Sequence, residues 1–473
     1  MTWTDFAGLV PVLILLGGAI LILMAGAYRP HYRLFILAGI SIALTACGVA
    51  VFSTSAVKEV SGIFRCGPYA DFFMALWSLL GALTLGISFR YGEERKFAPG
   101  EYVALVLFSC VGMSFLSMAS SLVGFFLGLE MISLNFYILT VFHRQSPEAP
   151  EAGMKYLLLG AVATGFLAFG IALIFAATGT LKLPEAMSGM VAGGQIVPLG
   201  LLAIAMFLVG VGFKLSLFPF HFWTPDVYQG APAPVTGLLA SGSKGAVWAA
   251  MVPLGAGLAG GLAEIVPLLK ALALLTLATG VLCALVQDNI KRLLAFSSVS
   301  HMGYVLIAFL SGGLTGERAV IFYLVTYSIV VLGSFGVLAC LSTPLGEPRA
   351  LSDFKGLAYR SPFLAAALTI FLFSLAGIPL TAGFIGKFHI FYSAVRAGHT
   401  WMAIAGVIAS LISMGYYLRL VFLVFQPRTD SPSPLAVCQP PGNIAVAFCS
   451  VLTLVIGIFP APLLKFVAAI LSP

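Results

Sequence analysis

Long apolar runs recur along the whole chain and limit its fold more than any other feature of the sequence. One run with its connection takes about 30 to 35 residues, because crossing about 30 Å of hydrocarbon requires about 20 helical residues. Of the 473 residues, 60% are hydrophobic and only 9% are charged, whereas about a quarter of the residues in a soluble domain are charged. The sequence therefore predicts an all-α polytopic membrane protein of about fourteen transmembrane helices.

Short connections that carry most of the charged residues separate the apolar runs. The runs predict helices near residues 6–28, 34–56, 69–89, 102–118, 120–142, 152–178, 197–218, 233–254, 267–287, 293–311, 319–343, 362–395, 400–425 and 443–470. The net charge of +7 is scattered over the connections without a basic stripe, so no nucleic-acid partner is predicted. Odd-numbered connections hold more lysine and arginine than even-numbered ones, which predicts odd connections in the cytoplasm and both termini outside.

Two of the predicted helices are interrupted by proline. The seventh run continues into FKLSLFPFHFWTPD around Pro219, and the twelfth contains LAGIPLTAGFIGKF around Pro379. Irregular backbone at membrane depth is tolerated where it lines a polar cavity, and matching broken helices are a recurring feature of transporters. The alternative is that these prolines only kink packed helices.

Each interrupted helix is the fourth of a five-helix block. The blocks span residues 100–254 and 265–426, and a block of five helices ends on the membrane side opposite to its start. The second copy must therefore be inverted. This predicts a three-helix segment over 1–99, two inverted five-helix repeats, and a C-terminal helix over 427–473.

Ionisable residues inside the apolar runs are the strongest functional signal. A charge at bilayer depth costs about 2.5 to 3.5 kcal/mol on insertion scales, so several together need a function to explain them. Desolvation moves lysine and glutamate towards their neutral forms, so such groups can exchange protons. The candidate proton-translocating residues are Glu130, Lys155, Lys214, Lys244, His301 and Lys387.

Three of the intramembrane residues have plausible structural alternatives. Lys155 lies near a helix start and can extend its ammonium to the membrane surface. His301 taken alone fits a packing role. Arg419, near the end of the thirteenth run, is better explained as an anchor, because arginine hardly deprotonates.

Four stretches carry a close family resemblance that runs over almost the whole chain. They are FFLGLEMISL, GFKLSLFPFHFWTPDVYQGAPAPV (212–235), DNIKRLLAFSSVSHMGY (288–304) and SLAGIPLTAGFIGKF (374–388). The sequence resembles the antiporter-like N-subunit family of bacterial NADH:quinone oxidoreductase, the respiratory complex I. The resemblance implies fourteen helices with two inverted repeats, the plan that the spacing also predicts.

The resemblance implies a role for each candidate in the first repeat. Glu130 matches the family's glutamate on the fifth helix, and Lys214 matches the lysine on the seventh helix with which it pairs. Lys155 matches a supporting lysine on the sixth helix. Lys244 matches the lysine on the eighth helix, where two half-channels connect.

The resemblance also implies roles in the second repeat and an identity within the family. His301 matches the histidine that leads into the second half, and Lys387 matches the lysine on the exit side. The related M subunit would carry glutamate at position 387, and the related L subunit would extend into a long lateral helix. Both comparisons favour the N type.

The implied activity is proton translocation coupled to quinone reduction, as part of an enzyme complex. The chain has no nucleotide-binding fingerprint and no cysteine cluster, so it is expected to hold no cofactor itself. NADH, FMN, iron-sulfur clusters and quinone are expected on partner subunits of a complex in the bacterial inner membrane, alongside the M and L subunits and membrane lipids. The alternatives are a subunit of an Mrp-type cation/proton antiporter and an independent solute transporter.

The charge distribution makes a testable prediction about orientation, in which the 90–101 and 344–361 connections face the cytoplasm. A cysteine introduced into the 90–101 connection should react with a membrane-impermeant maleimide in inside-out vesicles and not in intact cells. The unmodified protein controls for native cysteines. Strong labelling from the outer side alone would overturn the orientation.

Overall fold

The computed structural model describes residues 7–28, 31–53, 57–192, 195–258, 263–343, 346–427 and 440–471, and these residues are almost entirely helical. The first half contains the α-helices α1 (Val10–Gly26), α2 (Tyr32–Phe52), α3 (Pro68–Glu94), α4 (Pro99–Ser117), α5 (Leu122–Thr140), α6 (Ala149–Thr178), α7 (Leu183–Gly189), α8 (Pro198–Leu215), α9 (Trp223–Gly230), α10 (Ala233–Leu238) and α11 (Lys244–Leu258). The second half contains α12 (Val266–Leu285), α13 (Ile290–Leu310), α14 (Gly313–Leu341), α15 (Leu357–Arg360), α16 (Pro362–Ala376), α17 (Ala382–Arg396), α18 (Thr400–Phe425), α19 (Pro440–Ile458) and α20 (Ala461–Ile470).

Short elements complete the connections. Two antiparallel hairpins pair β1 (Lys58–Val60) with β2 (Phe64–Cys66) and β3 (Val191–Ala192) with β4 (Gln195–Ile196). Single 3-10 turns cover Ala7–Leu9, Ala263–Ile265 and Leu351–Phe354, and a π-helical turn covers Leu239–Ser243.

The predicted all-α membrane fold with about fourteen crossings is confirmed. Eleven of the described helices are long and apolar enough to cross a membrane. Three further crossings are the apolar helix α1, the segment from α10 through the π-turn to α11, and the broken pair α16 and α17. Together they give fourteen crossings among the described residues.

Both predicted interruptions are breaks and not kinks. Helix α8 ends at Ser216, whose φ of 57° lies in the left-handed region, and α9 begins at Trp223. Helix α16 ends at Gly377, with φ of 86°, and α17 begins at Ala382. A glycine tolerates this conformation at a helix end without steric cost, whereas Ser216 adopts it against its ordinary preference.

The structure corrects the prediction for the last helix, 443–470. This segment forms two helices, α19 and α20, because Pro460 and Pro462 stand at the start of α20, where a proline favours a new helix over continuation of the old one. Residues 1–6 and 472–473 of the predicted termini, and residues 428–439 of the predicted 427–473 segment, lie outside the described residues.

Odd-numbered and even-numbered connections gather on opposite sides of the helix bundle. Ion pairs on one side join Arg33 to Glu93 and Arg349 to Glu148, all in odd-numbered connections or beside them. On the other side, backbone bridges join Phe64 to Ala119 and Ser121 to Lys182. This alternation is the one expected for fourteen crossings, and we call the two sides the odd face and the even face. The repeat boundaries at 100–254 and 265–426 stay a prediction.

Helices α13 and α14 form the centre of the bundle. The apolar stretches of both are buried throughout, whereas only 33% of that of α2 and 28% of that of α6 are buried. A helix that is apolar on every side is expected in the interior or facing lipid. Polar side chains on α13 and α14 therefore face other helices and not lipid.

Candidate functional site

Four of the predicted site residues lie deep in the bundle. The exposed fractions are 4% for Lys214, 1% for Lys244, 3% for His301 and 4% for Lys387. They occupy α8, α11, α13 and α17, so both halves of the chain contribute to one buried region.

Each of the three lysines lies beside an irregularity of the helix that carries it. Lys214 stands in the last turn of α8 before its break, Lys387 follows the break between α16 and α17, and Lys244 follows the π-turn. Breaks and π-turns leave backbone carbonyls without their usual helical partners. Lys387 bonds to two such carbonyls, whereas Lys214 and Lys244 bond to side-chain hydroxyls.

Lys214 is surrounded by aromatic rings. Its Nζ atom lies 3.5 Å from the Tyr137 hydroxyl and 5.2 to 5.5 Å from the ring centroids of Tyr137, Tyr156 and Phe213. At these distances the ring faces attract an ammonium group. The cage favours the charged lysine without providing a fixed counter-charge.

An aromatic layer connects the cage around Lys214 to Lys244. The rings of Tyr156 and Trp223 are stacked with centroids 4.6 Å apart. On the far side, the Lys244 Nζ atom lies 6.0 Å from the Trp223 ring centroid and 5.3 Å from that of Tyr228. The two lysines therefore contact opposite ends of one aromatic group.

Lys244 is hydrogen-bonded to a neutral hydroxyl. Its ammonium donates to the Ser298 oxygen at 2.7 Å, and the Tyr327 hydroxyl donates to the same oxygen at 2.8 Å. The rings of Tyr327 and His301 lie 5.2 Å apart. Lys244 and Tyr327 thus share the Ser298 hydroxyl, and the ring of Tyr327 packs against the imidazole.

His301 is hydrogen-bonded through both ring nitrogens. Nδ1 pairs with the Tyr323 hydroxyl, and Nε2 lies 3.2 Å from the Tyr417 hydroxyl, which pairs in turn with Ser297. Each partner is a hydroxyl that can donate or accept. The ring can therefore hold either tautomer without losing a partner.

Lys387 completes the line at its far end. Its ammonium donates to the carbonyl oxygens of Leu375 and Ala376, at 2.8 and 3.1 Å, and to the Ser410 hydroxyl at 2.9 Å. The carbonyls belong to the last turn of α16, where the helix dipole places partial negative charge. Nζ also lies 4.9 Å from the ring of Tyr304, one turn beyond His301.

Glu130 lies half-buried on α5 and accepts a hydrogen bond of 2.7 Å from Thr164 on α6. Within the described part of the chain, Glu130 and Lys214 form no ion pair, because no oxygen of Glu130 lies within 4.0 Å of the Lys214 Nζ atom. Their interaction in this structure acts through space and not through contact.

Lys155 stands apart from the buried line. Its side chain is 43% exposed and forms ion pairs of 2.7 Å with Glu151 and with Asp226, which also pairs with Arg292 at 2.7 Å. Asp226 thus links α6, α9 and α13 near the odd face. Arg419 similarly forms an exposed ion pair with Asp288.

One further buried charge pair lies at the odd face. Lys291 donates to Glu347 at 2.7 Å and also to the Ala231 carbonyl, while Glu347 accepts from the Tyr91 hydroxyl and the Ala233 amide. Burial alone would raise the pKa of the Glu347 carboxyl, but the Lys291 ammonium and the surrounding donors hold that pKa below its ordinary value. Through the Ala231 carbonyl and the Ala233 amide, this ion pair holds the linker between α9 and α10.

Sequence reasoning missed the hydroxyls that join the candidates. The sequence gives no separate signal for Ser298, Tyr327, Tyr323 and Tyr417, because each is an ordinary residue of an apolar helix when considered alone. A signal existed on α13, where residues 297, 301 and 304 are a serine, a histidine and a tyrosine at helical spacing. The partner helices could not be inferred from that spacing.

The chain matches the family described as NADH:quinone oxidoreductase/Mrp antiporter, transmembrane, over residues 119–413. It is 43% identical to NADH-quinone oxidoreductase subunit N of Syntrophotalea carbinolica over 473 residues, which cover 100% of both chains. All six candidate residues fall inside the matched region.

Solved structures agree with the sequence comparison. A chain of respiratory complex I from Thermus thermophilus has a TM-score of 0.83 at 32% identity, with 97% of this chain and 99% of that chain covered. A chain of the Mrp complex from a Dietzia species has a TM-score of 0.87 at 22% identity, with 99% and 97% covered. The second likeness shows a shared fold alone.

The two kinds of buried lysine predict opposite effects on stability. Lys291→Met should lower the free energy of unfolding by about 3 to 5 kcal/mol, because removing one partner of a buried pair leaves the other charge uncompensated. Lys244→Met should be neutral or stabilising, because it removes a charge that must be desolvated and Ser298 keeps Tyr327 as a partner. Thermal unfolding of the purified proteins in detergent measures both effects. Equal destabilisation by the two variants would contradict this distinction.

Proposed function

This chain belongs to the NADH:quinone oxidoreductase/Mrp antiporter transmembrane family, and we propose that protons cross it along the buried line of lysines, hydroxyls and imidazole. The chain is a proton-translocating, antiporter-like membrane subunit of an NADH:quinone oxidoreductase. Its contribution to the enzyme is to move protons while the redox reaction takes place elsewhere in the complex.

The main support for assigning a proton-transfer role to these residues is the type of hydrogen-bond partner that each buried lysine has. Lys244 and Lys387 are held by hydroxyls and carbonyls, which are neutral oxygens. A fixed carboxylate would keep a lysine permanently charged, whereas a neutral oxygen stabilises the ammonium only moderately. These positions therefore suit lysines that alternate between charged and neutral states.

The proposed route runs from Lys214 through the aromatic layer to Lys244 and on to the second half. A proton released by the Lys244 ammonium would pass to the Ser298 hydroxyl and through Tyr327 towards His301. Hydroxyls and imidazole both donate and accept hydrogen bonds, so each can relay a proton by exchanging one bond for another. His301 would then transfer it past Tyr304 to Lys387, at the exit side.

Glu130 is proposed to bias the charge of Lys214. Its carboxylate is the nearby negative charge of this half, and an opposite charge favours the protonated lysine even without contact. Thr164 fixes the orientation of the carboxylate. Movement of this charge relative to Lys214 would alter how readily the lysine releases its proton.

We propose only a supporting role for Lys155. Its two carboxylate partners and its exposure favour a lysine that stays charged. In that position it would hold Asp226, and through it the start of α9, near the odd face.

Two alternative functions were open from the sequence. An Mrp-type antiporter subunit shares this fold, but the full-length identity of 43% to an N subunit favours the oxidoreductase. An independent solute transporter would need groups arranged to bind a substrate, whereas each buried lysine is enclosed by the side chains and carbonyls that contact it. Both alternatives are less well supported.

This assignment leads to proposals about the cofactors, the partner subunits and the membrane around the chain. NADH, FMN, iron-sulfur clusters and quinone would bind to partner subunits, which include the M and L antiporter-like subunits. The complex would lie in the bacterial inner membrane, with the odd face in the cytoplasm and both termini outside. Lipids would cover the exposed apolar faces of α2, α6 and α18.

Replacing a relay lysine should impair proton transfer without preventing assembly. We expect Lys244→Met and Lys387→Met to reduce quinone reductase activity and proton pumping together by at least about tenfold, because loss of a positioned proton-transfer group typically costs about 10²- to 10⁴-fold in rate. Lys→Arg should also fail, because arginine keeps the charge but cannot release its proton. The measurement is NADH oxidation and proton uptake in inverted membranes at matched assembly levels.

Arg419→Met provides the matched control, since it removes an exposed cation paired with Asp288 and should leave both activities near normal. Normal activity in both relay variants would exclude this proton route.

Substitutions of Glu130 test the proposed electrostatic bias. Glu130→Gln should impair activity and pumping, because it removes the negative charge near Lys214. Glu130→Asp should retain part of the function, since it keeps the charge but moves it. Thr164→Val, which removes only the hydrogen bond to Glu130, should have a weaker effect than Glu130→Gln. Equal activity of the Gln variant and the unmodified protein would rule out the bias.

A further inference from the structure

A cavity of about 700 Å³ with a mixed, mainly apolar lining opens at the even face. Its lining includes Glu59, Arg65 and Glu317 near the opening, and Ser117 from the end of α4. A cavity of this size with several charged groups and hydroxyls on its wall can hold water. Ser298 and Tyr327 are not part of its lining.

Three aromatic rings on one face of α3 run from this cavity towards the segment that carries Lys244. Tyr69, Phe73 and Trp77 follow one another at four-residue spacing, with ring centroids 4.9 Å and then 5.5 Å apart. Tyr69 lines the cavity and donates a hydrogen bond of 2.6 Å to the Ala249 carbonyl on α11. The three rings therefore run from the cavity along α11 towards its start at Lys244.

Trp77 is the ring that covers the Lys244 segment. It is fully buried, and its Nε1 donates 2.8 Å to the hydroxyl of Ser117, which lines the cavity. On its other edge, a Cβ added to Gly245 would lie 2.7 Å from Trp77 Cη2. One side of the indole thus reaches a cavity-lining residue, while the other packs on the backbone next to Lys244.

We propose that Trp77 is an insulating residue that separates Lys244 from the even-face cavity and prevents protons from leaking through it. This inference rests on the proposed role of Lys244 as a proton carrier. Without the ring, the space between Ser117 and Gly245 would open and admit water. In the proposed orientation the even face is the side towards which protons are pumped, so the membrane potential would drive protons through that opening back to Lys244.

The packing of Trp77 against the Lys244 segment requires a glycine at position 245. A side chain there would collide with the indole, because Cβ contacts below 3.0 Å do not occur in real structures. The absence of a Cβ lets the ring lie directly on the helix backbone. The next nearest neighbour of that position is the Ser328 hydroxyl, at 3.6 Å.

The experiment compares Trp77→Ala with Trp77→Phe and Phe73→Ala in the purified complex reconstituted into proteoliposomes. Trp77→Ala should increase passive proton influx, followed with an enclosed pH dye under a potassium diffusion potential without NADH. During turnover it should lower the number of protons pumped per NADH while NADH oxidation continues. Trp77→Phe keeps a ring and should remain tight. Phe73→Ala removes an equally buried ring that is not among the atoms nearest to Gly245, and should leak less than Trp77→Ala.

The double variant Trp77→Ala, Lys244→Met decides whether the leak passes through Lys244. Loss of the leak in the double variant supports the seal, whereas a persistent leak would mean a general packing defect and would overturn it. Unchanged permeability of an assembled Trp77→Ala complex would overturn it as well. A wrong assignment of Lys244 as a proton carrier can be told apart from a wrong assignment of the seal, because only the former gives normal pumping in the single Lys244→Met variant.

A second measurement does not depend on the folding of the tryptophan variants. Ser117→Cys in a Cys66→Ser background should react with a small membrane-impermeant thiol reagent applied from the even face, because the cavity reaches that position. The Cys66→Ser parent is the control. Absence of labelling at Ser117→Cys would contradict a hydrated cavity that ends at Trp77.

Discussion

The bonding of buried lysines to neutral oxygens is the interaction on which the rest of this structure depends. Lys244 and Lys387 occupy positions where lipid-like surroundings oppose a charge, and their partners are a serine, a second serine and two helix carbonyls. Such partners lower the cost of the ammonium without fixing it. At the break after α16, the carbonyls of Leu375 and Ala376 accept directly from Lys387, whereas Lys214 and Lys244, beside a break and a π-turn, bond to hydroxyls.

Several basic residues elsewhere in the chain are paired with carboxylates and not only with neutral oxygens. The bundle therefore contains two kinds of charged group. At the odd face, Lys291 is paired with Glu347, and Lys155 and Arg292 share Asp226. These ion pairs hold elements from both halves of the chain together. In the interior, Lys244, His301 and Lys387 are hydrogen-bonded to hydroxyls and carbonyls, and the proposed function requires them to change protonation state. The ionic contacts form a frame around these buried residues.

Much of this plan could be predicted from the sequence, and the limits have physical reasons. The apolar runs predicted the fourteen crossings, and Pro219 and Pro379 marked both breaks, because helix length and proline geometry are local properties. The lysines were conspicuous because a charge inside an apolar run is costly. The tyrosines that hydrogen-bond to these residues were not conspicuous, since a tyrosine fits an apolar helix and its hydrogen-bond partner is set by tertiary packing. The surface position of Lys155 was also undetermined, because a residue near a helix start can face either inwards or outwards.

The central claim is that the buried line needs an amine that can gain and lose a proton, and not merely a positive charge. Chemical replacement of the side chain at position 387 tests this directly. Lys387→Cys, in a background without other reactive cysteines, can be converted by aminoethyl methanethiosulfonate to a primary amine or by the trimethylammonium analogue to a permanent cation, with the extent of modification measured by mass spectrometry. The account predicts that the primary amine restores NADH-driven proton pumping and the permanent cation does not. Equal recovery with both reagents at equal modification would contradict it.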